Sequence, residues 1–234
     1  MNCCSLGTER VDVHCDEVTN DRPCFAIVTL HSLLPARIAT AITGATPCEK
    51  SAALLKRFDE ECSLKMRPLA VLEDGNCMFR AVSLALYNTE DHYRLLRAMT
   101  LHEILAHRDF YDKNSDSFCF REDNFIESPA FSDLCKEVAT NGSNCCILAL
   151  QALSAVCRVP IIYYVPGEHN SECLKALNRK LRGRDSADDN AAAITIMFSS
   201  TDEVGAEGVY PTPNHFVPLV PIAEEAADGP QAHE

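Results

Sequence analysis

Asp74-Gly75-Asn76-Cys77-Met78-Phe79-Arg80-Ala81-Val82 brings a turn, a cysteine and the opening of an apolar helix into one short stretch. The glycine lets the backbone fold tightly beneath whatever binds there. From Cys77 the apolar residues Met78, Phe79, Ala81, Val82, Leu84, Ala85 and Leu86 cover most sides of a helix, so this helix is expected to be buried and central. A cysteine at the start of a helix sits at the positive end of the dipole, beside unpaired N–H groups that favour thiolate over thiol. The same N–H groups, around Asp74 to Cys77, can hold an oxyanion as it develops. Both features suit a thiol nucleophile in acyl transfer.

Such a nucleophile needs a base brought close by the fold. Among the eight histidines, His14 and His31 fall in an N-terminal arm and His233 in the tail. His92, His102 and His107 are expected on the polar face of a helix, and His169 in a charged insertion. His215 differs, because it opens the apolar run His215-Phe-Val-Pro-Leu-Val220 directly after the turn-forming Tyr210-Pro-Thr-Pro-Asn214. A late strand-edge histidine paired with a cysteine at a helix start is the general layout of papain-like enzymes. The plain alternative is a buried core thiol and a turn histidine with a satisfied hydrogen bond.

Working outward, residues 1–48 show no clear periodicity, although Phe25–Leu30 has strand character. An amphipathic helix is expected between Pro47 and Met66, packed on the main domain. The short run Leu69–Leu72 predicts a strand ahead of the turn. Asn88-Thr-Glu-Asp91 is expected to cap a helix over about 90–107, with Leu95, Leu96, Met99 and Leu105 inward. Residues 109–127 are expected as loop; Phe118, Phe120, Phe125 and Phe131 suit either core or a substrate groove. Ser128-Pro129 looks like the start of a helix to about Thr140, ended by Asn141-Gly142. A helix over about 144–157 follows, then strands at 160–165, 193–198 and 215–220, with a charged insertion at 166–190. Helices first and strands afterwards predict an α+β fold rather than an alternating parallel one. The acidic tail from Ala223 is expected to be disordered.

The formal net charge of −13 argues against nucleic acid as the main ligand, since duplex binding draws most of its affinity from Lys and Arg. It also argues against an anionic membrane surface. No apolar stretch approaches the roughly 18 residues of a transmembrane helix, and no signal peptide is expected at the start of the chain. The 13 cysteines are then expected to be mostly free thiols in a reducing compartment, cytosolic or nuclear. No C-x-x-C pair occurs, and the pairs Cys3–Cys4 and Cys145–Cys146 lack zinc-knuckle spacing, so no metal is expected. Arg179-Lys-Leu-Arg182-Gly-Arg184 is a basic cluster, either a solvated loop or a nuclear-localisation patch.

The stretch Asp74–Val82 resembles the nucleophile motif of ovarian-tumour (OTU) cysteine proteases, D-G-N-C-L-[FY]-R-A, at nearly every position. Asn214-His215-Phe216-Val217 resembles the family's late histidine motif, and the likeness spans about residues 66–222. The resemblance implies a papain-like α+β domain over 66–222, an N-terminal arm at 1–65 and a tail at 223–234. It implies Cys77 as nucleophile, His215 as general base and Asp74 as the motif acid, with Gly75 and Asn76 in the oxyanion turn. The family's reaction is hydrolysis of isopeptide bonds to ubiquitin or a similar modifier, and it needs no cofactor. Many family members orient the imidazole with Asp or Asn two residues after it; here Val217 stands there. The orienting role then falls to Asn214, Asp74 or another carboxylate such as Glu73, Asp59 or Glu60, or is absent. Ser83–Tyr87, Cys146–Ser154 and Pro213–Leu219 further resemble the vertnin-like OTU proteins of animals. That likeness implies an alternative: a nuclear regulatory binding protein on an OTU scaffold.

Overall fold

The computed structural model describes residues 11–13, 24–26, 42, 44–123, 128–167, 177–184, 191–202 and 211–222. Two short strands, β1 (Val11–Val13) and β2 (Cys24–Ala26), pair antiparallel. The rest of the Phe25–Leu30 run lies outside the described residues, as do Phe125 and the tail from Ala223. Next come α1 (Glu49–Phe58), α2 (Glu60–Ser63) and β3 (Met66–Pro68). Four helices follow α3 (Cys77–Tyr87): α4 (Tyr93–Ala106), α5 (Arg108–Tyr111), α6 (Phe131–Ala139) and α7 (Ile147–Cys157). Strands β4 (Ile161–Tyr164), β5 (Arg179–Leu181), β6 (Ile194–Ser199) and β7 (His215–Pro221) complete the order.

The main sheet runs β3-β7-β6-β4-β5, with β4 and β6 parallel and every other pair antiparallel. Helix α3 lies against β7 and β6, α7 against β4 and β5, and α4 packs on α3, α6 and α7. The fold is therefore α+β of the papain-like kind, with the cysteine-bearing helix against a small mixed sheet. Phe79, Ala81 and Val82 are fully enclosed, because α3 is apolar on nearly every side and is surrounded on nearly every side. Leu54 and Leu55 of α1 join the same core, so the helix ahead of β3 packs on the sheet as expected.

Several local expectations needed correction. The helix expected over 47–66 breaks at Asp59, whose carboxylate accepts from the Cys62 N–H at 3.0 Å and caps α2. Leu69–Leu72 is not a strand: β3 lies just before it, and only Leu69 continues the contact, donating to the Pro218 carbonyl at 3.0 Å. Asn88 does not cap α4; in a left-handed conformation (φ 59°) it ends α3 instead. Leu105 is exposed, and the inward places on α4 go to Leu96, Arg97, Met99, Thr100 and Ile104. The cap of α6 is Ala130 rather than Ser128. The basic cluster is not a free loop, since Arg179–Leu181 is an edge strand and Arg179 pairs with Asp123. Phe120 is core, and Phe118 and Phe131 pack against it.

Phe79→Ala should lower unfolding stability by about 3–5 kcal/mol in urea titration, because a fully enclosed ring leaves a cavity that the flanking sheet cannot collapse into.

Candidate functional site

The Asp74–Cys77 turn is built by its own side chains. Asp74 Oδ1 accepts from the Asn76 N–H at 2.9 Å, and Asp74 Oδ2 from the Asn76 amide at 3.1 Å. Arg80, one turn into α3, grips the same carboxylate from Nε and Nη2 at 3.0–3.2 Å and reaches Glu90 at 3.4 Å. Its guanidinium lies 3.8 Å from the Tyr93 ring centre. Burial pushes the Asp74 carboxyl up, but the bonds from Arg80 and Asn76 outweigh it and hold it below its usual 3.8.

A second clamp comes from α4. The buried Arg97 guanidinium donates to the Gly75 carbonyl (3.2 Å), Asn76 Oδ1 (2.8 Å), the Val138 carbonyl (2.9 Å), the Glu137 carbonyl (2.6 Å) and the Ser143 carbonyl (2.8 Å). Asn76 Oδ1 also accepts from the Gly142 N–H at 3.1 Å. The turn and the loop between α6 and α7 thereby press together at Gly75 and Gly142. A Cβ on Gly75 would collide with the Gly142 carbonyl, so only glycine fits. Arg97 was overlooked in the sequence, although one cation amid Leu95, Leu96, Ala98 and Met99 is a signal of a buried, paired charge.

Cys77 opens α3 and His215 opens β7, and the fold brings these two ends side by side. The Phe216 N–H donates to Cys77 Sγ at 3.5 Å. Alternate residues of a strand present their backbone groups to the same edge, so Phe216 faces the way Pro218 does. Leu69 takes the Pro218 carbonyl; one step on, where β3 has ended, the cysteine takes its place. Cys77 and His215 are only 3% and 4% exposed. A neighbouring cleft of about 440 Å³, lined by Ala70, Val71, Leu84 and Glu90 among others, reaches neither of them.

This enclosure works against the expected thiolate preference. Burial pushes the Cys77 thiol above its usual 9.0, against the pull of the Phe216, Met78 and Cys77 N–H groups. Burial likewise pulls His215 below 6.5, partly offset by the Glu73 and Asp74 carboxylates and reinforced by Lys50. Both shifts favour a neutral thiol beside a neutral imidazole. The expected oxyanion donors are also engaged: the Asn76 N–H by the Asp74 side chain, and the Cys77 N–H by the Asp74 carbonyl at 3.0 Å.

The side chains of Asn214, Asp59 and Asp74 are bonded to other partners, while the Glu73 and Asp74 carboxylates act on the imidazole through their charge. Asn214 spends its amide on Thr201, whose N–H reaches Oδ1 at 2.9 Å. Asp59 is bonded to Tyr164 and Cys62, and Asp74 to Arg80 and Asn76. Val217 is completely buried. No group of three or more His, Cys, Asp or Glu among the described residues could hold a metal ion. No helix among them is long and apolar enough to cross a membrane.

Gly75→Ala should displace the turn and lower unfolding stability by about 1–3 kcal/mol, measured by denaturant titration. A pH series of thermal unfolding checks the His215 environment. The unfolded chain takes up the His215 proton near pH 6.5, but the folded chain does so only at lower pH. Stability should therefore fall as pH drops from 6.5 through the folded value, and His215→Gln should flatten that part of the curve.

Residues 68–131 match the family model described as vertnin, OTU domain; the match contains Cys77 but stops short of His215. No curated protein matches the chain. Similar solved structures include the OTUD1 OTU domain (19% identity, 72% of this chain and 95% of that chain, TM-score 0.47). The viral OTU domain protease from Dera Ghazi Khan virus is similar at 15% identity over 69% of this chain and 85% of that one, TM-score 0.43. The Hazara virus OTU, solved bound to ubiquitin, is similar at 12% identity over 70% of this chain and 86% of that one, TM-score 0.42. The segment that carries Cys77 on its glycine turn is thus similar to the OTU domain of vertnin.

Proposed function

We propose that this protein is an OTU-type thiol isopeptidase, acting on conjugates of ubiquitin or a ubiquitin-like modifier. The observation that carries this reading is the meeting of Cys77, at the N-terminus of α3, with the first residues of β7, where the Phe216 N–H reaches its sulfur. In the proposed reaction His215 takes the Cys77 proton, and the thiolate attacks the isopeptide carbonyl. The lysine amine leaves with the proton from His215, and water releases the thioester. The Asn76 and Cys77 N–H groups would serve the oxyanion once the turn releases them from Asp74. The modifier is taken from the OTU resemblance, and the domain limits of 66–222 are proposed on the same basis.

A second reading, a regulatory binding protein with little or no turnover, is favoured by one observation. His215 stands beside a buried valine at position 217, without the expected polar partner. A mis-oriented imidazole can lower the rate by orders of magnitude.

A ubiquitin probe carrying a C-terminal electrophile separates the two. Labelling is expected on Cys77, absent in Cys77→Ala and slowed by about 100-fold or more in His215→Ala. An unlabelled Cys77 in protein shown to be folded would sink the isopeptidase reading and leave the regulatory one.

A further inference from the structure

The question left by Val217 is what holds the imidazole. In the β6–β7 register Ser199 lies directly opposite His215. Directly paired residues of antiparallel strands project to the same face, with Cβ atoms about 4.5–5.5 Å apart. The Ser199 hydroxyl is therefore a side-chain neighbour of the imidazole by backbone geometry alone. The register is locked at this end by the Asn214 N–H, which donates to the Ser199 carbonyl at 2.9 Å.

Ser199 is fully buried, and so is Ser51 on α1. Their hydroxyl oxygens are 2.8 Å apart, joined across 148 positions of sequence, and either can be the donor. Behind them the Cys48 thiol donates to Ser51 Oγ at 3.1 Å. This polar thread runs from the start of α1 to the strand position facing His215, through an otherwise apolar interior. A buried hydroxyl is expensive without a hydrogen-bond partner, and each of these meets the other. With Ser199 donating to Ser51, its own lone pairs remain to accept an imidazole N–H.

We propose that Ser199, backed by Ser51, is a positioning residue that orients the His215 imidazole in place of the acidic or amide side chain missing at 217. In this role Ser199 accepts from one ring N–H once the imidazole turns toward it, a bond the resting structure does not contain, and leaves the other nitrogen for the Cys77 proton. A neutral hydroxyl is a weaker orienter than a carboxylate, so the imidazolium formed during turnover is less stabilised. This assignment rests on the isopeptidase reading for its catalytic meaning, but not for its geometry.

The test compares Ser199→Thr with Ser199→Val, which share shape and differ in the hydroxyl, alongside Ser199→Ala. Nitrogen NMR of the His215 ring reads the tautomer without any substrate. One fixed tautomer is expected in the wild type and in Ser199→Thr, and a mixture of both in Ser199→Val and Ser199→Ala. On ubiquitin-probe labelling or chain cleavage, Ser199→Val is expected to lose about tenfold in rate relative to Ser199→Thr, with KM unchanged. The same single tautomer in the Thr and Val variants would overturn the proposal. If the tautomer responds to the hydroxyl while the wild type neither labels nor cleaves, the positioning role stands and the isopeptidase reading falls.

Discussion

A buried guanidinium is the constraint around which the site is organised. Arg97 sits inside the protein and directs its N–H groups to backbone carbonyls and one amide oxygen. A charge taken out of water is tolerated only when its donors are used, so those acceptors must be where they are. They belong to two regions distant in sequence, the turn before Cys77 and the last turn of α6 with the loop that follows it. Holding both to one cation explains the close approach at Gly75 and Gly142, and with it the aim of the α3 N-terminus. The cation also lies 4.9 Å from the Phe79 ring centre, which ties the clamp to the core of α3.

The chemistry of the site is a balance between enclosure and polarity. Backbone N–H groups at the helix start and on β7 point at the sulfur, as thiolate formation needs. Enclosure works the other way, raising the thiol and lowering the imidazole, which favours the neutral form of each. The turn reinforces this resting state, because Asp74 occupies the N–H groups of Asn76 and Cys77. Asp74 thus has a structural task, locking the turn to Arg80, that leaves its carboxylate little capacity to orient an imidazole.

Much of this was legible from local pattern. The apolar run from Cys77 predicts the buried helix α3, whose limits the structure places at Cys77–Tyr87. The β-branched and aromatic runs at 160–165, 193–198 and 215–220 predict β4, β6 and β7 within a residue or two. Local pattern fails where one residue serves a distant partner. Asp59 looks like a polar position of one helix, yet it starts another. Asn88 looks like a cap for the helix after it, yet closes the one before, and Arg179–Leu181 looks like loop until β4 supplies its pairing partner.

For the site itself, sequence alone determined which side chains carry reactive chemistry: a thiol at a helix start behind a glycine turn, and a late histidine opening an apolar strand. Those are local properties, set by backbone conformation and neighbouring residues. Only the tertiary structure decided their protonation, their neighbours and their access. Burial, the register that puts Ser199 opposite His215, and the closure of Gly142 over Gly75 all depend on segments tens of residues apart. Desolvation and hydrogen-bond geometry act through space, and no spacing along the chain encodes which distant groups will arrive.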